Sequence, residues 1–149
     1  RPGIIEFLRK TRCNLVLSLF SPFSKERQTA IPVEKVYPSE EIIDMMKSFP
    51  ADRKRRLSIA YVMIRNLNDT DSHLEKMKEL LGDSNVRVNL LPYHPVAGDP
   101  DLPSSPERMN YFKHELVISG ISASIRKSRG TDIDAACGLL AGRHGRIQI

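Results

Sequence analysis

The chain has 149 residues, 40% hydrophobic and 28% charged, which is enough to bury one core and excludes a coil, a peptide or a disordered tail. Its 23 Lys and Arg against 18 Asp and Glu give a formal charge of +5, a mild lean toward polyanions rather than the charge of a nucleic-acid tail. Cys13 and Cys137 are too far apart for a local zinc-ligand pair and define no disulfide framework; no run reaches the roughly 18 apolar residues of a membrane span, and Arg1 to Phe7 lacks a signal-peptide layout, so a soluble protein of a reducing, cytoplasmic compartment is expected.

The chain lacks an initial Met and opens in a helical pattern, Gly3 to Thr11, with Ile4, Ile5, Phe7 and Leu8 beside Glu6, Arg9 and Lys10. It reads as a piece of something longer. Asn14 to Phe20 (NLVLSLF) is an almost unbroken apolar run and predicts a strand covered on both faces, the kind usually found in parallel sheets. A helix follows over Ser39 to Phe49, with Ser39 as its N-cap and Ile42, Ile43, Met45, Met46 and Phe49 down one side. The next strand is Leu57 to Ile64, then a helix from Asp71 to Leu81 with Leu74, Met77, Leu80 and Leu81 at helical spacing, stopped by Gly82. Val86 to Leu91 is a third strand. Ser105 to Ser119 is a helix opened by Ser105-Pro106 and stopped by Gly120, and Ile121 to Arg126 is a weaker fourth strand. Strand starts near 14, 57, 86 and 121 leave room for βαβ crossovers, so the fold class is α/β, a parallel sheet with outer helices.

Between Leu91 and Pro106 stand Pro92, Pro95, Pro100, Pro103 and Pro106, one long ordered loop leaving the C-terminal end of a strand, the rim where α/β proteins place their sites. The common motifs GxGxxG, GxxxxGK[ST], GxSxG, HExxH and CxxC are absent. His73, His94, His114 and His144 show no ligand spacing, and a satisfied or solvated role is expected of them, with His94 kept as a candidate because it directly follows a buried strand. In Ile125 to Gly138 (IRKSRGTDIDAACG), cations precede a turn glycine, and Thr131 with Asp134 forms a capping box for a short helix carrying Cys137. Two readings stand for Cys137: a thiolate favoured by Arg126, Lys127 and Arg129 and left open by Ala135, Ala136 and Gly138, or a small buried hydrophobe in an Ala-rich turn.

The segment RKSRGTDIDAACGLLAG at 126 to 142 resembles the radical S-adenosylmethionine enzymes that methylate carbon 2 of an adenosine in large-subunit ribosomal RNA, the RlmN/Cfr family. NLVLSLFSPF at 14 to 23 resembles that family's fourth barrel strand and the loop after it, IAYVMIRNLND at 59 to 69 its fifth, and VNLLPYHPVAG at 88 to 98 its sixth, so the likeness runs in order through nearly all 149 residues. The resemblance implies a single fragment, residues 1 to 149, forming the C-terminal half of a partial (βα)6 barrel. It implies that the missing N-terminal half holds the CxxxCxxC loop and its [4Fe-4S] cluster, which Cys13 and Cys137 cannot ligate by themselves. Cys13 matches no catalytic position of the family and is expected in the core.

By the same likeness Cys137 is the cysteine methylated from one S-adenosylmethionine, whose methyl carbon, activated by a radical from a second, is passed to the adenine ring. Ser18, Leu19, Phe20 and His94 occupy its S-adenosylmethionine-contacting positions, although most members have His where Phe20 stands and Asn where His94 stands. Arg126, Lys127 and Arg129 are the RNA-contacting candidates, with ribosomal RNA and tRNA as partners; Arg53 to Arg56 are read as a solvated turn on the opposite rim. An RNA- or protein-binding half barrel without catalysis, or a radical enzyme acting on another substrate, are the competing readings. The fragment alone is expected to be inactive and to self-associate through its open sheet edge.

Overall fold

The computed structural model describes residues 2–11, 13–49, 56–95 and 98–126. Four strands, β1 (Leu15–Ser18), β2 (Leu57–Met63), β3 (Arg87–Pro92) and β4 (Ala123–Ile125), form one sheet whose spatial order follows chain order. Every pairing is parallel, as the apolar runs predict. The helices are α1 (Pro2–Lys10), α2 (Ser24–Ala30), α3 (Ser39–Ser48), α4 (Asp71–Leu81) and α5 (Pro106–Ile118), with a 3₁₀ turn over Pro32–Lys35.

The register divides the sheet into two faces. Ile59, Tyr61, Met63, Val88 and Leu90 point to one side and are buried against Ile43 and Met46 of α3, Leu74, Met77 and Leu81 of α4, and Phe112 and Leu116 of α5. Those of α3 and α4 are the ones at the predicted spacing, and removing this apolar surface from water is what seats the helices. Ser18, Ala60, Asn89 and Ser124 lie side by side across all four strands on the other face. Small and polar, this row is left uncovered by the helices. The expectation that the first strand is covered on both faces therefore fails: Leu15 and Leu17 pack toward the core, but Val16 is 55% exposed and Ser18 is exposed.

Three local expectations are corrected. Residues 21 to 38 contain α2 and the 3₁₀ turn where no element is predicted. Ser39 is the first residue inside α3 rather than its N-cap, a position held by Pro38; its amide and hydroxyl both donate to Glu34 at 3.0 Å. Helix α4 ends at Gly82 as predicted, with φ −50°, and the left-handed residue is the next one, Asp83, at φ 55°. Cys13 is exposed, not a core residue, because it precedes β1 on the N-terminal rim beyond the helix-covered face. The α5 start is as predicted: the Ser105 side chain accepts from the Arg108 amide at 3.2 Å, and Gly120 follows the helix with φ 81°.

Phe112 is fully buried in this core and carries the Arg108 guanidinium 4.9 Å above its ring. Phe112→Ala should lower stability by about 3–5 kcal/mol, whereas Ser105→Ala should cost about 1 kcal/mol. Denaturant unfolding monitored by circular dichroism checks both values and their order.

Candidate functional site

The C-terminal rim of the sheet is built around the end of β1. Leu19 donates its amide to Ala60 at 3.0 Å, extending the ladder by one residue. The chain then closes on itself: the Ser21 amide donates to the Leu19 carbonyl at 2.7 Å, and the residue between them, Phe20, has φ 61°. This is the strained form of the three-residue turn, in a conformation that is costly for a residue with a Cβ.

Two buried side chains hold the turn from outside. Arg27, on α2, donates from Nε to the Leu19 carbonyl at 2.9 Å and from Nη2 to the Ser18 carbonyl at 2.8 Å. Its Nη1 pairs with Glu34, whose carboxylate also accepts from the Ser24 and Ser39 hydroxyls and the Ser39 amide. Asn68, fully buried after β2, donates from Nδ2 to the Phe20 carbonyl at 2.7 Å and to the Val62 carbonyl at 2.8 Å, while its Oδ1 accepts from the Ile64 amide at 2.8 Å. Tyr61 donates its hydroxyl to the Asn68 carbonyl at 2.6 Å. Sequence reading misses both residues as site elements, since neither belongs to a motif and their partners are backbone atoms from other loops.

A polar chain ties the same two loops together. The buried Ser21 hydroxyl donates to Glu26 at 2.6 Å; Glu26 meets His73 Nε2 at 2.8 Å, and His73 Nδ1 meets the Thr70 hydroxyl at 2.6 Å. Burial tends to raise the Glu26 carboxyl, but the hydrogen bonds from Ser21 and His73, together with the imidazole charge, outweigh it and hold the group below its ordinary 4.5. His73 is thus a satisfied buried histidine, as expected, with Phe23 edge-on to its ring.

Of the predicted site residues, Ser18, Leu19, Phe20 and His94 all lie at this rim: Ser18 exposed, Leu19 buried, Phe20 and His94 half-buried. His94 follows β3, two strands from β1, a lateral offset of about 10 Å at ordinary strand spacing. Its loop is braced by Tyr93, whose hydroxyl donates to Asp99; that hydrogen bond pushes the phenol up to about 12 and the carboxyl down. Arg126 is exposed and rests on the uncovered sheet face, its Nε donating to Asn89 Oδ1 at 3.3 Å beside Ser124. Cys137, Lys127 and Arg129 lie outside the described residues, as do residues 53 to 55. Arg56, the described end of that basic run, precedes β2 on the opposite rim, as expected. A cleft of about 440 Å³ on the C-terminal rim is lined by Arg65, Asp69, Asp71 and Arg108 among others; Arg108 there pairs with Asp71 at 2.7 Å, so the charges partly cancel within the protein.

No family model matches the chain. It is 40% identical over 139 residues to a protein of Parabacteroides distasonis described as "Probable dual-specificity RNA methyltransferase RlmN", covering 93% of this chain and 40% of that relative. Among solved structures, a radical SAM methyltransferase from Sphaerobacter thermophilus superposes with a TM-score of 0.83 at 35% identity, over 93% of this chain and 41% of its own. Over this span the chain is similar to proteins named RlmN. It covers about 40% of the length of the curated relative. A domain of pyruvate-formate lyase-activating enzyme from Bacteroides vulgatus shares the fold alone, with a TM-score of 0.62 at 20% identity.

Of the two cofactors that the likeness implies, the described residues carry groups of a suitable kind for one and no ligand set for the other. A serine hydroxyl, an aromatic ring and an imidazole stand along the C-terminal rim, the types of group that hydrogen-bond a ribose and cover an adenine. No group of three or more His, Cys, Asp or Glu able to hold a metal ion occurs among the described residues, and Cys13 sits on the far rim, so this part of the chain offers no iron–sulfur ligand set. No helix among the described residues is long and apolar enough to cross a membrane.

Because the folded Glu26 carboxyl titrates below its ordinary value, its stabilising effect is fully present above about pH 4.5 and is lost as pH falls through the lower folded value. The stability gap between the wild type and Glu26→Gln should therefore close as the solution is acidified below pH 4.5. Urea unfolding between pH 3 and 7 measures it; a gap independent of pH would contradict the network.

Proposed function

We propose that this chain is the C-terminal part of a radical S-adenosylmethionine enzyme that methylates carbon 2 of an adenosine in large-subunit ribosomal RNA and in tRNA, in the cytoplasm. The observation that carries the reading is the span similar to RlmN in which Ser18, Leu19, Phe20 and His94 lie along one rim of the sheet. When bound there, S-adenosylmethionine supplies both the methyl group and the radical chemistry.

On this reading the chain's own residues bind and orient. Ser18 and His94 hydrogen-bond the polar edge of the nucleoside, and the Phe20 ring covers a flat face of it, in place of the histidine that most members of the RlmN/Cfr family carry there. Cys137 is the thiolate that receives the methyl group and holds its carbon against the base, a task that suits a cysteine among small neighbours. Arg126, Lys127 and Arg129 neutralise RNA phosphates next to it. The [4Fe-4S] cluster and its CxxxCxxC loop belong to the N-terminal half of the barrel, which would pair with a free sheet edge; an isolated fragment would use that edge to self-associate.

Cys137→Ala in the full-length parent protein should abolish formation of methylated adenosine while leaving the iron–sulfur absorbance of the preparation unchanged. Mass spectrometry of nucleosides from RNA incubated with the variant reads the first, and visible absorption the second. Normal methylated product from Cys137→Ala would remove the cysteine from its assigned role.

A further inference from the structure

Three consecutive carbonyls at the end of β1, those of Ser18, Leu19 and Phe20, each accept a hydrogen bond from a buried side chain that comes from elsewhere in the fold. A strand that merely needed to end would place glycine or asparagine in the left-handed position; here a phenylalanine occupies it at φ 61°. Left to itself such a residue relaxes to the extended region, which would rotate the following peptide and swing both the Phe20 side chain and the Ser21 amide away.

The two side chains that oppose this relaxation are themselves fixed. The guanidinium of Arg27 is held by Glu34, which is in turn held by Ser24 and Ser39. The amide of Asn68 is oriented by the Ile64 amide on one side and the Val62 carbonyl on the other. Arg27 approaches from α2 and Asn68 from the loop after β2, so the turn is clamped between two independently anchored elements.

We propose that Arg27 and Asn68 are positioning residues for S-adenosylmethionine: they hold the strained turn at Phe20 in its binding shape before the cofactor arrives. The inference rests on the reading of Ser18 to Phe20 as a cofactor-contacting segment. Its physical content is preorganisation, in which the cost of ordering the segment is met during folding and not on binding.

The test uses the full-length parent protein and equilibrium dialysis of S-adenosylmethionine at a temperature well below the unfolding of every variant. Asn68→Ser removes the donations to Phe20 and Val62. Arg27→Lys keeps a cation beside Glu34 but replaces a fork that spans two carbonyls with a point charge. Each should weaken binding about tenfold, while Leu116→Ala, a core truncation in α5 that destabilises the fold from a distance, should keep the wild-type dissociation constant. Wild-type affinity in a folded Asn68→Ser or Arg27→Lys variant overturns the role of that residue. A measurement on the unsubstituted protein decides the matter even where a variant does not fold. Hydrogen exchange at the Ser21 amide should be slow in the free protein and unchanged on addition of S-adenosylhomocysteine, and protection that appears only with the ligand would overturn the proposal. The reading beneath it fails separately: if Ser18→Ala combined with Phe20→Ala leaves the dissociation constant unchanged, the segment does not contact the cofactor.

Discussion

The buried carboxylate of Glu34 is the interaction on which the rim depends. A guanidinium taken out of water needs a paired charge and partners for its remaining donors, because removing one member of such a pair leaves the other stranded at a cost of about 3–5 kcal/mol. Glu34 supplies that charge to Arg27, and the hydroxyls of Ser24 and Ser39 with the Ser39 amide fill its other lone pairs. With Nη1 so engaged, the rest of the guanidinium is free to reach across to the last carbonyls of β1. One ion pair thereby joins α2, the 3₁₀ turn, the start of α3 and the end of a strand. The rim inherits its shape from this joint.

Asn68 does the complementary work from the other side. Its amide group links the end of β2 to the turn after β1, and the contact of Glu26 with His73 repeats that linkage a few residues further out. The two loops are consequently one mechanical unit, resting on a sheet whose helix side is packed with apolar residues and whose other side carries the row Ser18, Ala60, Asn89 and Ser124. In barrel folds the sites stand on the rim at the C-terminal ends of the strands, and the braced loops lie on that rim.

How much of this was legible in the residues follows from what each element buries. The strands and α3, α4 and α5 hide Leu, Ile, Val, Met and Phe at regular spacing, a pattern that periodicity reads directly. Helix α2 is seven residues long, and its one buried residue is an arginine, so there is no apolar stripe to find. Ser39 has the composition of an N-cap, but its hydroxyl is claimed by Glu34, five positions earlier, a tertiary preference that no local rule contains. The rim position of Ser18, Leu19 and Phe20 is implied by family likeness at a strand end, and that of His94 also by its place directly after a buried strand. Arg27 and Asn68 escaped, because what identifies them is the direction of backbone carbonyls in space.

The capture of Phe20 by its carbonyl has a consequence for variation at that position. Because the main chain there is gripped through an atom that every amino acid possesses, the path of the loop is insulated from the identity of the side chain. An aromatic ring of another chemistry would stand on the same scaffold. Drift at residue 20 would then change the side chain presented on this rim without redrawing its outline.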